Sequence, residues 1–419
     1  MNKFSYYPKN ALFHCIVALS FCAMAGCSDD NLVNSQVTKS TPSSQPGPRN
    51  FFGELSIDDN FAQVQQSVPL RLPFDHESHP NFQLEWWYFT FVLEGEHRET
   101  GQVQQLGLQY TLFRFNTNSK AKKTSHWSNS QQFMAHASLH SKTQHFFEER
   151  FATGSVGNAY VSNAPFQAVI DDWSVKSENA TPFPSILQFS INPQLPNKSR
   201  LISAGNSSAK ALGTLHLTAT QPFIKQGVDG YSKKTSDERL RSYYYSQPFI
   251  DAKGEIIIEN EVFKVTGKGW YDHEWTSHLV ARDAMGWDWF SLHLDNGSKL
   301  MAFRMHTLSS NANAAKNSVE MFTTGSFITA NGKKVALEAN DISITPVEYE
   351  TIVLSDAEGS IEKQVPTHWQ MLVPKANIAV NIRPFKQGQW NASVFPYYEG
   401  RIEIEGSHKG SGFLELTGY

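Results

Sequence analysis

Residues 289–306, WFSLHLDNGSKLMAFRMH, decide the fold class. Two runs rich in apolar and aromatic side chains, 289–294 and 299–306, flank the turn residues Asp295-Asn296-Gly297-Ser298. An Asn-Gly pair readily takes the positive φ angles that a tight hairpin turn requires. The stretch therefore predicts two antiparallel β-strands joined by a short turn.

The same pattern extends through the rest of the chain from about residue 55. Short apolar runs are separated by turn residues, and few stretches have a helical period. Residues 106–115, LGLQYTLFRF, alternate between two sets of side chains, as the two faces of a strand do. The chain is 13% aromatic and only 18% charged, which is typical of a protein with much aromatic surface to bury. We predict an all-β protein.

The two halves of the body contain a weak repeat. Residues 87–91, WYFTF, resemble residues 288–292, DWFSL, and a strand carrying Phe-Arg follows each of them, at 113–114 and 303–304. A duplicated β-domain explains the repeat, although two aromatic hairpins can also be similar by chance. The polar segment Gly230 to Arg241 is the predicted boundary, which gives domains at 55–238 and 239–419.

The first 54 residues predict a leader and a tether. Lys3 and Lys9 precede an apolar stretch, 11–25, that is too short for a usual spanning helix, so residues 1–26 are interpreted as a signal peptide. Met24-Ala25-Gly26-Cys27 resembles the bacterial lipobox, in which the cysteine is lipidated; ordinary cleavage near Ala25-Gly26 is the alternative. Residues 27–54 are polar and read as a disordered tether. We expect a lipid-anchored envelope protein, facing the periplasm from the outer membrane.

Several classes of protein are excluded or disfavoured by composition and motifs. With 36 Lys and Arg against 40 Asp and Glu, the chain lacks the basic surface that binds nucleic acid. It has no P-loop, no dinucleotide-binding glycine pattern and no nucleophile elbow, so we predict no nucleotide cofactor and no α/β-type serine hydrolase. His273 to His278 is one residue too long for the zinc-protease helix motif, and no metal is predicted. All three cysteines lie in the first 27 residues, which excludes disulfides from the body.

The segment Gly269 to Trp275, GWYDHEW, is the richest in chemistry. In a strand, Tyr271, His273 and Trp275 share one face, and Asp272 and Glu274 share the other. An imidazole between aromatic rings suits a ligand-facing site, because histidine exchanges protons near neutral pH and aromatic faces stabilise a cation. A packed aromatic strand with a hydrogen-bonded histidine accounts for the same pattern.

Three other positions have both a functional and a structural interpretation. Trp86 and Trp87 point to opposite faces of a strand, so at most one of them lines a given cavity. Asp288 lies between Trp287 and Trp289, and two flanking indoles would desolvate it and raise its pKa toward that of a general acid; on a rim it would do nothing. His136, between two alanines, is expected to be a hydrogen-bonded core histidine.

Four segments together resemble a known family: EWWYFT at 85–90, GWYDHEW at 269–275, GWDWFSLHLDNGSKLMAFRM at 286–305 and the final stretch from YYEGRIEIEG to GSGFLELTGY. They resemble the bacterial secreted lipocalin-like proteins called AttH-like or predicted secreted hydrolases, which are related to carotenoid 1,2-hydratases. The resemblance spans Leu72 to Tyr419. It implies two tandem lipocalin-like antiparallel β-barrels.

The resemblance also implies site residues. Asp272-His273-Glu274-Trp275 is similar to the Asp-His-Asn-Trp stretch that supplies an essential histidine and tryptophan in the carotenoid hydratases, with Glu274 replacing asparagine. The downstream Tyr-x-Asp pair of those enzymes has no counterpart in residues 298–306. The implied reaction protonates a C=C bond and adds water. Its catalytic candidates are His273, Trp275, Asp272 and Asp288, and its substrate-binding candidates are Trp87, Tyr88, Tyr271, Trp287 and Trp289.

Three functions remain open from the sequence. The first is an enzyme that hydrates or hydrolyses a lipid-like or terpenoid-like substrate without a cofactor. The second is a lipoprotein that binds or carries a hydrophobic ligand unchanged. The third is a structural component of the envelope. An apolar barrel interior with few polar groups serves either of the first two, so the fold does not decide between them.

Overall fold

The fold is described from a computed structural model, over residues 61–117, 129–154, 157–192, 210–278, 285–307, 320–356 and 359–419. The predicted signal peptide, the lipidation site Cys27 and the tether up to residue 54 lie outside these ranges. In the part of the chain that is described, no helix is long and apolar enough to cross a membrane.

The first antiparallel sheet is built from the strands that precede residue 277. They are β1 (Leu84–His97), β2 (Val103–Asn116), β3 (Gln131–His140), β4 (His145–Thr153), β5 (Ala159–Asn163), β6 (Phe166–Ile170), β7 (Trp173–Ser177), β8 (Ser185–Ile191), β9 (Ala211–Ala219), β10 (Ile224–Lys225), β11 (Tyr231–Lys233), β12 (Arg241–Ile258) and β13 (Glu261–Thr276). A 3₁₀ turn, Phe74–His76, precedes β1.

The second antiparallel sheet follows it in the chain. Its strands are β14 (Met285–Leu294), β15 (Lys299–Thr307), β16 (Glu320–Ile328), β17 (Lys334–Leu337), β18 (Ser343–Asp356), β19 (Gly359–Val373), β20 (Ile378–Pro384), β21 (Trp390–Asn391), β22 (Tyr397–Gly406) and β23 (Gly410–Leu416). Two further 3₁₀ turns, Ala339–Asp341 and Pro374–Ala376, join strands of this sheet.

Strand order confirms the predicted fold class of two tandem lipocalin-like antiparallel barrels. The first sheet runs β4-β3-β2-β1-β13-β12-β9-β8-β7-β6-β5, with β10 and β11 paired to β12. Strands β3 and β4 also contact β6 and β8 across its interior, as expected of a sheet that curls toward closure. The second sheet runs β17-β16-β15-β14-β23-β22-β20-β19-β18, with β21 paired to β22. The predicted hairpin is β14–β15, and Gly297 at its turn has φ +82°.

The chain passes from one sheet to the other later than the predicted domain boundary at residue 238. Strands β12 and β13 follow that residue, yet they pair with β1 and β9 in the first sheet. The change of sheet lies between Thr276 and Met285. The polar segment 230–241 contains β11 and the turn that leads from it to β12 within the first sheet, and the turn has a composition that resembles a linker.

The internal repeat has a different register from the one in the sequence comparison. In β1 and β2, Glu85 lies opposite Arg114; in β14 and β15, Asp288 lies opposite Arg304. Glu85 is therefore the structural counterpart of Asp288. The sequence comparison aligned Asp288 with Trp87, so the two alignments differ by two residues. The matching Phe-Arg dipeptides are correctly placed, because both arginines pair with these carboxylates.

Side-chain alternation separates three apolar cores. The inner face of the first sheet holds Trp87, Tyr271 and Trp275, and the inner face of the second holds Phe290 and Trp369. A third core, shared by the outer faces of both sheets, contains Tyr88, Val92, Ile224, Leu240, Tyr244, Phe249, Trp270, Trp289, Met301, Phe303, Met305, Ile328 and Phe413. The two barrels therefore pack against each other through aromatic and apolar side chains.

Candidate active site

The inner wall of the first barrel brings the predicted histidine against aromatic rings from neighbouring strands. His273 on β13 lies opposite Trp87 on β1 and opposite Tyr245 on β12. The ring of Trp87 is stacked on His273 with centroids 4.9 Å apart, and Trp275 and Tyr271 share the same face as predicted. Trp86 packs instead at the core between the sheets, so the two adjacent tryptophans do face opposite ways.

A buried carboxylate, Glu85, is the centre of this site. It has no solvent exposure, and Oε1 accepts hydrogen bonds from Nε2 of His273 at 2.8 Å and from Nδ1 of His79 at 2.7 Å. Oε2 accepts from Nε of Arg114 at 2.8 Å, from the backbone N–H of His79 at 2.8 Å and from the Ser78 hydroxyl at 2.9 Å. A buried charge needs such compensation, because an unpaired carboxylate there would be strongly disfavoured.

The chain just before β1 supplies two further histidines to the site. His79 lies over Trp275, with nearly parallel rings whose centroids are 3.8 Å apart. Nδ1 of His76, at the end of the 3₁₀ turn, lies 2.7 Å from the hydroxyl of Tyr245. Neither histidine, nor Glu85, was predicted as a site residue. The available signal was the density of titratable side chains in residues 75–79, DHESH, directly ahead of an aromatic strand.

The charges of the cluster follow from these contacts. Burial acts to raise the pKa of Glu85, but Arg114, His79 and the hydrogen bonds outweigh it and hold that pKa well below its usual value. Burial acts in the opposite sense on His79, and the adjacent Glu85 and Asp75 carboxylates outweigh it, so the pKa of His79 is raised. The cluster therefore contains a carboxylate, a guanidinium and an imidazole whose protonated form the neighbouring carboxylates stabilise.

His273 itself is neutral at pH 7, because burial lowers its pKa to about 4 even though Glu85 opposes the shift. A carboxylate only accepts, so the proton of the neutral ring is on Nε2, which faces Glu85, and Nδ1 is an acceptor. The hydroxyl of Tyr245 lies 3.0 Å from that Nδ1 and donates to it. Since Tyr245 has one proton, its oxygen accepts from Nδ1 of His76. The result is a directed chain from His76 through Tyr245 and His273 to Glu85.

His79, Glu85 and His273 also have the residue types of a metal site, with ligand atoms that all lie within 4.8 Å of one another. Each of these atoms is already in a hydrogen bond, and the guanidinium of Arg114 supplies positive charge at Glu85. We interpret the three residues as a hydrogen-bonded cluster and assign no metal to it.

Asp272, a predicted catalytic residue, lies on the other face of β13 and points into the region between the sheets. It accepts hydrogen bonds from Ser246, from Nε1 of Trp270 at 2.8 Å and from the Tyr244 hydroxyl at 2.9 Å. Burial raises its pKa to about 7 against the effect of these donors. That pKa suits a general acid, but the carboxyl group faces away from His273, as the alternation rule predicted.

The remaining predicted substrate-binding residues lie in the same region between the sheets. The Tyr88 hydroxyl donates to Glu399, and Nε1 of Trp287 donates to Glu415 at 2.8 Å. Trp289 meets Tyr88 edge to face, with centroids 5.2 Å apart. Of the predicted binding residues, only Trp87 and Tyr271 line the first barrel with His273.

Asp288, the other predicted acid, lies inside the second barrel. It is fully buried, as predicted, but the flanking indoles point to the opposite face of β14. Its neighbours are Nε of Arg304 at 2.6 Å and the hydroxyl of Tyr419 at 2.7 Å. The predicted environment of two indoles is therefore wrong, because adjacent strand residues alternate faces.

His136 is the hydrogen-bonded histidine that the sequence predicted. Its Nδ1 lies 2.8 Å from the Tyr397 hydroxyl of the second sheet, and its Nε2 lies 3.1 Å from Glu149. Both ring nitrogens are thus used in joining the two sheets and β4.

Comparison with known proteins places the chain in a family. A family model described as AttH-like matches residues 63–419. The chain belongs to the AttH-like family. This confirms the resemblance predicted from the four sequence segments, and the match covers both barrels. A search of curated proteins gives no match.

Two solved structures are similar to this AttH-like chain. A protein assigned to AttH from Nitrosomonas europaea is 27% identical, with a TM-score of 0.68 over 86% of this chain and 99% of the other. Kievitone hydratase from Nectria haematococca is 13% identical, with a TM-score of 0.56 over 85% of this chain and 96% of the other. The second similarity shows a shared fold.

Proposed function

We propose that this AttH-like protein is an enzyme of the hydratase type, which adds water to a carbon–carbon double bond of an apolar substrate inside the first barrel. The observation that carries the proposal is the buried Glu85 carboxylate, which holds the imidazoles of His79 and His273 within 2.8 Å beside aromatic rings. Family membership supports it, and so does the name of one protein of the same fold, kievitone hydratase.

The proton donor in this proposal is His79. The adjacent Glu85 and Asp75 carboxylates raise its pKa, and Nδ1 donates to Glu85. The other ring nitrogen, Nε2, lies 3.7 Å from the Asp75 carboxylate, and its N–H is the one that would transfer the proton. Transfer of this proton to one alkene carbon breaks the π bond and leaves a carbocation on the other. Water adds to the cation, and the proton that it loses returns to the neutral imidazole, so the net change is the addition of one water.

His273 is a positioning residue in this scheme. Its neutral ring donates to Glu85 and accepts from Tyr245, so it fixes the carboxylate that holds His79. Hydrogen bonds to the partner of a catalytic group help to set the orientation and basicity of that group.

The aromatic wall supplies the environment that a carbocation needs. Trp275 is stacked against His79, and Trp87 is stacked against His273, so two indole faces lie beside the imidazoles. The negative face of an aromatic ring attracts a cation, and the attraction is larger where water is excluded. Trp87 has no solvent exposure and Trp275 has 2%.

The experiment is turnover of a cell-envelope lipid extract in water labelled with heavy oxygen, followed by mass spectrometry. We expect a product heavier by one labelled water. His79→Gln should lower its rate about 100-fold or more, as loss of a general acid does, and His273→Gln should also lower it. His216→Gln, at an exposed site on β9, is the matched control. Unchanged turnover in both site variants would contradict the proposal, and labelled cleavage fragments would indicate a hydrolase.

A non-catalytic carrier is the second candidate, and one observation favours it. Both oxygens of Glu85 are occupied by donors from Ser78, His79, Arg114 and His273, as in a structural brace. In that case the cluster only closes one end of the barrel, and the same experiment would recover a bound apolar molecule without any label.

We further propose that the enzyme is anchored to the cell envelope through Cys27. The support is sequence alone: a basic start, a short apolar stretch, small residues before Cys27 and a polar segment after it. Attachment at the membrane would place the barrel near an apolar substrate. Labelled palmitate should be incorporated into the wild-type protein and not into Cys27→Ser; equal labelling would contradict the anchor.

A further inference from the structure

Two hydrogen-bond donors on strands β1 and β2, on the inner wall of the first barrel, have no partner among the described residues. They are Nε1 of Trp87 and the hydroxyl of Tyr110, and neither side chain has any solvent exposure. Buried polar groups are nearly always hydrogen-bonded, and leaving one unpaired costs about 1–3 kcal/mol. Two such groups on one wall therefore need an explanation.

The two donors belong to side chains on adjacent strands. Trp87 is opposite Leu112, and Tyr110 is two residues along the same strand, opposite Phe89. Diagonal neighbours of this kind on one face of a sheet have Cα atoms roughly 7–8 Å apart, within reach of aromatic side chains. Tyr110 is bordered by the rings of Phe89 and Trp173 at centroid distances of 6.2 and 6.0 Å.

The pair is also next to the proposed active site. The ring of Trp87 is stacked on His273, whose Nε2 donates to Glu85. A molecule that contacts Trp87 and Tyr110 would therefore lie beside the imidazoles of the proposed active site.

We propose that this wall binds a neutral oxygen atom of an otherwise apolar ligand, a carbonyl, ether or hydroxyl oxygen that accepts from Trp87 and Tyr110. An indole N–H only donates, so the ligand atom that it meets must be an acceptor. Both donors are themselves uncharged, so they match a neutral acceptor oxygen. This inference rests on the proposed function, since it names the class of substrate that the first barrel takes.

Binding of two matched probes tests the inference: 9-fluorenone, and fluorene, in which a methylene group replaces the ketone. A neutral hydrogen bond contributes about 0.5–1.5 kcal/mol, so the wild-type protein should bind the ketone roughly 2- to 10-fold more tightly. Trp87→Phe and Tyr110→Phe should each reduce that preference toward one. Equal affinity for the two probes, or no binding of the ketone, would overturn the inference.

Stability of the ligand-free protein gives a second readout that needs no probe. Tyr110→Phe removes a hydroxyl that has no partner in the described part of the chain, so its melting temperature should equal or exceed that of the wild type. Tyr231→Phe is the control, because the Tyr231 hydroxyl donates to Glu238 at 2.8 Å and its loss should lower the melting temperature. A fall of similar size in Tyr110→Phe would show that its hydroxyl is already engaged, and would overturn the inference.

The experiments distinguish a failure of the hydratase proposal from a failure of the proposal for the oxygen-binding wall. Ketone preference without turnover would retain the oxygen-binding wall and contradict the hydratase. Turnover without any ketone preference would retain the hydratase and contradict the wall.

Discussion

Nε2 of His273 lies 2.8 Å from Oε1 of Glu85, although 188 residues separate them in the chain. The contact exists because β1 and β13 are antiparallel neighbours in which Trp87 lies opposite His273 and Glu85 lies opposite Trp275. The last strand of the first sheet thus completes a site that its first strand begins. This pairing makes the first barrel, rather than the region between the barrels, the proposed place of reaction.

Glu85→Gln should strongly destabilise the protein. It leaves the guanidinium of Arg114 buried without its carboxylate, and breaking a buried pair in this way costs about 3–5 kcal/mol. Urea unfolding at pH 7 measures the change. Glu96→Gln, at an exposed position on the same strand, should stay within about 0.5 kcal/mol of the wild type. Similar losses in the two variants would contradict the structural role of Glu85.

His79→Gln should cost most at mildly acidic pH. Because the pKa of His79 is raised in the folded protein, its contribution to stability is fully present below the unfolded pKa, near 6.5, and is lost as pH rises through the folded pKa. The pKa of Glu85 is held well below its usual value, so its charge persists at pH 5.5. Unfolding free energies of wild type and variant should differ more at pH 5.5 than at pH 9. A difference independent of pH would count against the His79–Glu85 pair.

The stability of Asp272→Asn relative to wild type should increase as pH rises. The folded pKa of about 7 is above the unfolded one, so the neutral form stabilises the fold at low pH and this contribution is lost as pH rises to 7. Asparagine does not titrate. The stability of the variant relative to wild type should therefore improve by roughly 2–4 kcal/mol between pH 4 and pH 8. A constant difference across that range would mean that Asp272 is not titrating as described.

Asp288→Asn tests which of the two barrels is the place of reaction. Loss of the charge leaves Arg304 without its carboxylate and should cost about 3 kcal/mol in urea unfolding. Labelled-water incorporation per folded molecule should stay at the wild-type value if the reaction takes place in the first barrel. Loss of turnover in the folded variant would instead support Asp288 as the acid.

The sequence predicted the strands and the faces of their side chains, because both depend on local alternation. The hairpin at 289–306 and the shared face of Tyr271, His273 and Trp275 are confirmed. The same rule, applied to Asp288, would have placed its flanking indoles on the opposite face. Residues next to each other in a strand are not neighbours in space, because their side chains point to opposite faces.

Pairing between distant strands could not be predicted in the same way. Nothing in the local sequence indicates that β13 pairs with β1. The sequence therefore could not predict that residues 241–276 belong to the first sheet, or that Glu85 contacts His273. His79 lies in a non-strand segment whose path depends on backbone and side-chain contacts with the finished barrel, among them the hydrogen bond from Ser277 to Ala62. Such segments have no periodicity from which a position can be predicted.

The most direct test of the central claim is a crystal structure of the protein with the ligand that it captures from cell-envelope extract. We predict electron density inside the first barrel, in contact with Trp87 and within about 4 Å of the His79–His273 cluster, as van der Waals packing requires. Density for the ligand inside the second barrel beside Asp288, or between the two sheets beside Asp272, would contradict the account.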